Sequence, residues 1–383
     1  MSAHDGNKAR NTRPLPLPPI AEGGREWLRQ LTECLAPSEC SGAAFASPND
    51  VVGELPTMRL RGFGSLRQKD GAPVLIVTPM TMHDSGMADL MRGHSVVEAL
   101  RASGAGPIYL TDWKSADASM RDRGLDAYVS DLNVAIDDLG GIVDVVGLCQ
   151  GGWLALVHAA RFPGKIRRLV LAGSPIDTGA SPSPMTQLAD RARAIEKRGD
   201  ETVSGRDVFA PLGAGYGAEQ AAIFALQRNP ASFADADMRA ISAYERWSRR
   251  VLDLPARYAQ EVATHLFAAN SLARGTLTVL GKRLRLKSVK IPIFTLCGEM
   301  DEATPKAQTL GALALVGTPR SRVRSLSAPC GHFALFTGAR VMRHEWRTIA
   351  TWLTSQAPLG GRPPARTSLA EDAPALTPSG AAR

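Results

Sequence analysis

A chain of 383 residues, 44% of them hydrophobic and 21% charged, has the make-up of a folded soluble protein and the length for one large core with an insertion, since cores beyond roughly 250 residues tend to split. The formal net charge of +8 suits anionic partners. Yet the basic residues are scattered, the group Arg246-Trp247-Ser248-Arg249-Arg250 is short, and with no nucleic-acid motif in view a DNA or RNA binder is disfavoured.

The N-terminal stretch MSAHDGNKARNTRPLPLPPI has no secretory core and points to the cytoplasm. No run reaches the roughly 18 apolar residues of a transmembrane segment. Five cysteines at irregular spacing read as reduced thiols. Residues 1–22 and 357–383, rich in Pro and small polar residues, are expected to be disordered tails. Between them, short apolar runs mark strands at Val74-Leu75-Ile76-Val77-Thr78, Pro107-Ile108-Tyr109-Leu110-Thr111, Ile142 to Val146, Arg168-Leu169-Val170-Leu171, Ile293-Phe294-Thr295-Leu296 and Val323-Arg324-Ser325-Leu326. Apolar spacing near 3.6 marks helices at Leu125 to Leu139, Trp153 to Arg161, Ala307 to Val316 and Val341 to Leu353. Alternating strands and helices predict a mostly parallel sheet covered on both faces. The alternation fails across 182–290, where Met185 to Lys197, Ala218 to Gln227 and Ala236 to Leu252 are candidate helices. That span reads as a helical cap inserted between core segments 23–181 and 291–356.

The chemistry centres on Gly147-Leu148-Cys149-Gln150-Gly151-Gly152-Trp153. A nucleophile at a sharp strand-to-helix turn occupies a strained backbone position, and glycines at Gly147 and Gly151 remove the side chains that would collide there, while Gly152 permits closer packing. The helix beginning near Gln150 turns its N-terminal amides toward the sulfur, an arrangement that favours a thiolate. The opposing reading makes Cys149 a small core residue; the strand, paired glycines and helix together favour a nucleophile. A base and an orienting acid should follow in the order nucleophile, acid, histidine. Asp301, in Cys297-Gly298-Glu299-Met300-Asp301, and His332, in Pro329-Cys330-Gly331-His332-Phe333, each follow a strand and fit those roles, with Glu299 as the rival acid. The backbone amides of Met80 and Gln150 are the expected oxyanion donors. His94, His158 and His344 read as structural or exposed, and His83 as either lining the site or solvated. No spacing resembles a metal site, and Cys34 and Cys40 are too isolated to form one.

With these residues in place, the chain resembles the polyhydroxyalkanoate synthases and the related intracellular polyhydroxyalkanoate depolymerases, which are α/β-hydrolase-fold enzymes with a cysteine nucleophile. The resemblance runs from about Val74 to Leu353. Gly147 to Gly152 looks like the synthase box, Tyr109-Leu110-Thr111-Asp112-Trp113 like the segment both groups carry before it, and Asn270-Ser271-Leu272 with Gly281 and Ile291-Pro292 like the end of the synthase cap. The resemblance implies an α/β-hydrolase fold with triad roles for Cys149, Asp301 and His332. Gly331 to Gly338 and Thr78-Pro79-Met80 are closer to the depolymerases, Asp301 is followed by Glu302 where the synthases commonly have a histidine, and with no counterpart expected to the long N-terminal domain of the larger synthases the resemblance is to the short class that works with a partner subunit.

A cysteine acyl-enzyme is a thioester, so loading from an acyl-CoA is nearly balanced while loading from an ordinary ester runs uphill. Sulfur therefore favours acyl transfer from 3-hydroxyacyl-CoA, with CoA as leaving group, no resident cofactor, and the polymer chain end as acceptor. The alternatives are hydrolysis or thiolysis of the polymer by the same residues, and a silent scaffold on the granule surface. The expected partners are the 3-hydroxyacyl-CoA or polymer, the granule surface, and a second copy or partner subunit.

Overall fold

A computed structural model of the chain describes residues 45–64, 71–187 except 82, 201–204, and 239–355 except 241, 245, 248 and 249. The expected tails at 1–22 and 357–383 and the candidate helix Ala218 to Gln227 lie outside the described residues, as do most of Met185 to Lys197 and part of Ala236 to Leu252.

Eight strands build the main sheet. They are β1 (Asn49–Glu54), β2 (Met58–Phe63), β3 (Val74–Val77), β4 (Ile108–Trp113), β5 (Val143–Leu148), β6 (Ile166–Ala172), β7 (Ile293–Gly298) and β8 (Val323–Ala328). Their order is β1-β2-β4-β3-β5-β6-β7-β8. Pairing is antiparallel for β1 with β2 and β2 with β4, and parallel from β4 onward. β3, Val-Leu-Ile-Val, is an unbroken apolar run because both of its faces are buried. In β3, Leu75 and Val77 enter one core cluster, and Val74 and Ile76 the other.

Helices α2 (Leu125–Asp138), α3 (Gln150–Arg161) and α4 (Ala256–Val262) cover the first face. Helices α1 (Val96–Ala102) and α6 (Arg347–Thr354) cover the second. Between β7 and β8 runs α5 (Lys306–Leu315), which sends Ala312 into the first cluster. The helix expected over Val341 to Leu353 contains a π-helical turn at Met342–Trp346 before α6. Of the span read as a cap, residues from Leu254 to Leu286 contribute Tyr258, Leu266, Leu277 and Leu284 to the same cluster as α2 and α3.

The sequence reading passed over β1 and β2, which carry few β-branched residues. The signal for β2 is nevertheless present: Met58 and Leu60 face inward while Arg59 and Arg61 alternate outward. Arg61 then pairs with Asp112 of the neighbouring β4 at 2.6 Å. The parallel strands end together, and the connections after β3, β5, β7 and β8 meet along that edge, where a crevice in such a sheet receives its ligand.

Candidate active site

Cys149 sits between the last residue of β5 and the first of α3, with φ +50° and ψ −127°. Positive φ is uncommon for a residue with a Cβ, and such strain persists where the surrounding structure enforces it. Three close approaches enforce it here. A Cβ on Gly147 would lie 2.3 Å from the Gly152 Cα, one on Gly151 would lie 2.1 Å from the Val77 carbonyl oxygen, and one on Gly152 would lie 1.9 Å from Ser174 Oγ. The turn is thus pressed against β3 on one side and the end of β6 on the other, and the Cys149 amide donates to the Ala172 carbonyl at 2.8 Å.

Asp301 and His332 arrive from the ends of β7 and β8. His332 Nδ1 lies 2.7 Å from Asp301 Oδ2, and the Thr304 amide donates to Asp301 Oδ1 at 2.7 Å. Because the ionised carboxylate only accepts, Nδ1 carries the proton of that contact. The Cys149 side chain lies close enough to the imidazole to act on its charge. All three side chains are buried. Phe336 and Phe333 meet the imidazole edge-on, with ring centres 5.3 and 5.8 Å away. Burial alone would push the imidazolium down. The charges of Asp301 and Cys149, with the hydrogen bond to Asp301, override it and hold His332 well above the usual histidine range. An imidazolium so held is a proton store next to sulfur, the arrangement that nucleophilic acyl transfer requires.

The structure therefore brings together Cys149, Asp301 and His332, which stand far apart in the chain. Glu299, the rival acid, is exposed beyond β7, and Asp301 occupies the imidazole. Met80 and Gln150 are both buried, Met80 three residues beyond β3 and Gln150 as the first residue of α3. Gly151 against the Val77 carbonyl marks where those two segments touch. The side-chain Oε1 of Gln150 is buried without a partner among the described residues.

The remaining histidines are placed elsewhere. His94 Nδ1 contacts the Thr337 carbonyl at 2.6 Å, His158 is buried within α3, and His344 is exposed. His83 packs against Trp247 with ring centres 4.6 Å apart. Another cysteine, Cys297, is buried at the end of β7, and burial pushes its thiol up to about 12, which leaves it protonated beside the site. The sequence reading missed Thr304 and Phe333. An acidic residue followed three positions later by a threonine is a recognisable turn pattern, in which the carboxylate accepts a nearby backbone amide. Phe333 carried no comparable signal. Among the described residues no His, Cys, Asp and Glu group could hold a metal ion, and no helix is long and apolar enough to cross a membrane.

Comparison with known proteins finds relatives of the chain in sequence and in fold. Residues 101–339 match the family described as alpha/beta hydrolase fold. Over 337 residues the chain is 24% identical to the poly(3-hydroxyalkanoate) polymerase subunit PhaC of Haloferax mediterranei, covering 82% of this chain and 65% of that protein. It is 23% identical over 303 residues to the subunit of the same name from Allochromatium vinosum, covering 74% and 81% of the two chains. The Synechocystis subunit is 26% identical over 302 residues, covering 74% and 78%. Among solved structures, a monoacylglycerol lipase from Paleococcus ferrophilus superposes with a TM-score of 0.52 at 17% identity, covering 77% of this chain and 98% of that one. An enol-lactonase from Burkholderia xenovorans gives 0.52 at 17%, covering 80% and 100%. These two likenesses concern the fold alone.

Proposed function

We infer that this chain, which belongs to the alpha/beta hydrolase fold family, is an acyltransferase of polyhydroxyalkanoate metabolism that polymerises 3-hydroxyacyl-CoA through a thioester on Cys149. The observation that carries this reading is the buried His332–Asp301 pair beside Cys149, a buried cysteine held at positive φ in a strained turn at the start of α3. The sequence relationship to polymerase subunits supports the substrate class.

In the first half-reaction the Cys149 sulfur attacks the thioester carbonyl of 3-hydroxyacyl-CoA. The electron pair moves onto the carbonyl oxygen, where the amides of Met80 and Gln150 receive it. Collapse of the adduct breaks the carbon–sulfur bond to CoA, whose thiolate takes the proton held on His332. In the second, the hydroxyl of a growing chain gives its proton to His332 Nε2 and its oxygen attacks the Cys149 thioester. The ester forms and the Cys149 thiolate leaves. Asp301 keeps the proton on Nδ1 throughout, so Nε2 is the nitrogen that exchanges it. One thioester is exchanged for another at loading, which explains why sulfur suits this site. The basic net charge is compatible with the phosphates of CoA.

A second reading, cleavage of stored polymer by the same residues, has in its favour the depolymerase-like segments Gly331 to Gly338 and Thr78-Pro79-Met80. The deciding experiment is CoA release from 3-hydroxybutyryl-CoA by the purified protein beside a Cys149→Ala control, with the product examined for polymer. CoA and polymer, both lost in the control, are expected. Free hydroxy acid alone would make the protein a thioesterase. Hydroxy acids from amorphous granules, without CoA release, would replace the synthase reading by the depolymerase one.

A further inference from the structure

The loop after β3 carries the Met80 amide, and the structure anchors it on two sides. Toward the sheet, Thr78 Oγ1 and Ser85 Oγ each donate to the Thr111 carbonyl at 2.8 Å. On the other side the contacts converge on Asp84. Its carboxylate accepts from Arg250 Nε and, at 3.3 Å, from Arg250 Nη2, and takes the Gly86 amide at 3.0 Å. Its carbonyl accepts the indole N–H of Trp247 at 3.0 Å, and its amide donates to the Arg250 carbonyl at 3.3 Å. His83 extends the junction by an isolated β-bridge to Val251.

Trp247, fully buried, reaches the other half of the site as well. Its ring lies 5.5 Å from Phe333, the chain neighbour of His332, and Tyr244 closes the group at 5.6 Å from Phe333 and 5.5 Å from Trp247. One indole therefore bonds the loop of the expected oxyanion donor and packs on the loop of the base. Oxyanion donors act because they are fixed before charge develops, and a small displacement costs much of the rate.

We propose that Asp84, Trp247 and Arg250 are positioning residues for acyl transfer, clamping the Met80 loop to Trp247, Arg250 and Val251 and, through Phe333, holding that loop and the His332 loop in one register. The proposal rests on the acyl-transfer reading of Cys149, His332 and Asp301 and adds residues that act through Met80 and His332. Trp247→Phe removes the indole donor and keeps a ring against Phe333. Arg250→Met removes the clamp charge and keeps the aliphatic stem, and Arg250→Lys is the conservative rescue.

The full chain and its variants are compared by kcat and KM for 3-hydroxybutyryl-CoA and for p-nitrophenyl butyrate, whose cleavage by any acyl-transfer centre passes through an oxyanion. Alkylation of Cys149 by iodoacetamide, which forms no oxyanion, reports the nucleophile alone. Hydrogen exchange of the peptide spanning residues 78–89 reports the loop. Trp247→Phe and Arg250→Met are expected to lower kcat about tenfold or more with KM within about threefold. Arg250→Lys should fall between, alkylation should stay within about twofold, and exchange of 78–89 should accelerate. Unchanged kcat, alkylation falling in step with kcat, or unchanged exchange overturns the clamp. Wild-type protein that ignores the CoA thioester but cleaves the nitrophenyl ester overturns the polymerase reading alone, and the clamp is then judged on the ester.

Discussion

Asp301 spends both of its oxygens at once: Oδ2 faces His332 Nδ1 at 2.7 Å and Oδ1 accepts the Thr304 amide at 2.7 Å. An asparagine at that position has one acceptor for two N–H groups, and its own NH₂ must face one of them. In Asp301→Asn the imidazole is therefore expected to turn over its tautomer and present N–H to the sulfur. The expected loss in kcat is about 10²–10⁴, with KM little changed, by analogy with the loss of the acid in serine-based triads. Single-turnover acylation measures it. An Asp301→Asn enzyme with wild-type kcat would remove Asp301 from the mechanism.

The same contact makes stability depend on pH. Burial opposes the His332 imidazolium, but Asp301 and Cys149 hold it well above its ordinary value of 6.5. A group raised in the folded state contributes stability that is fully present below the unfolded value and is lost as pH rises through the folded one. The advantage of wild type over Asp301→Asn in thermal unfolding should therefore be larger at pH 6 than at pH 9. An advantage that grows with rising pH would mean the imidazole is neutral in the folded protein.

At the elbow, the Gly152→Ala methyl would lie 1.9 Å from Ser174 Oγ and 2.7 Å from Ser174 Cβ. Relief requires the turn or the end of β6 to shift, at a cost of about 1–3 kcal/mol or more and with loss of Cys149 alkylation. Ser174→Gly removes both obstructing atoms. The double variant should recover part of the stability, with a coupling energy above about 1 kcal/mol in denaturant melts. Additive effects would place the strain of Gly152→Ala elsewhere.

His158 offers a control far from the chemistry. It is fully buried in α3, its Nε2 is 3.4 Å from Asn133 Oδ1, and its ring meets Phe162 with centres 5.0 Å apart. Burial, aided by the charge of Lys165, depresses it from 6.5 to about 3. A depressed group confers stability that is present above 6.5 and lost as pH falls toward the folded value, about 3 kcal/mol by pH 4. His158→Gln should flatten the acid limb of the stability curve by that order, read from urea midpoints at pH 7 and 4. An unchanged acid limb would show that His158 titrates normally.

What could be read from the sequence was whatever announced itself locally. Val74 to Val77 and Val143 to Val146 lie in strands buried on both faces, and Gly147, Gly151 and Gly152 mark the turn because neighbouring chain segments approach too closely there for a Cβ. Asp301 and His332 could be nominated from their places after strands, but only tertiary contact separates Asp301 from the exposed Glu299 two residues earlier. Trp247 and Arg250 carried no such mark. Their importance lies in Asp84 and Phe333, more than 80 residues away on either side, and such long-range partners leave no periodicity to read.

Sulfur itself is the last element to test. In Cys149→Ser the nucleophile keeps its place at the turn, but the acyl-enzyme becomes an oxygen ester, and its departure in chain transfer must expel an alkoxide in place of a thiolate. Loading from 3-hydroxybutyryl-CoA then runs downhill and unloading is slowed, so the variant should accumulate an acyl adduct visible in the intact-protein mass. Polymer formation should fall by at least about a hundredfold, the scale of one lost acid–base contribution. Cys149→Ala, with no nucleophile, should show neither adduct nor polymer. A serine variant that turned over at the wild-type rate would show that the leaving-group advantage of sulfur is not what the site requires, and would shift the balance toward ester cleavage, a reaction an oxygen nucleophile serves equally well.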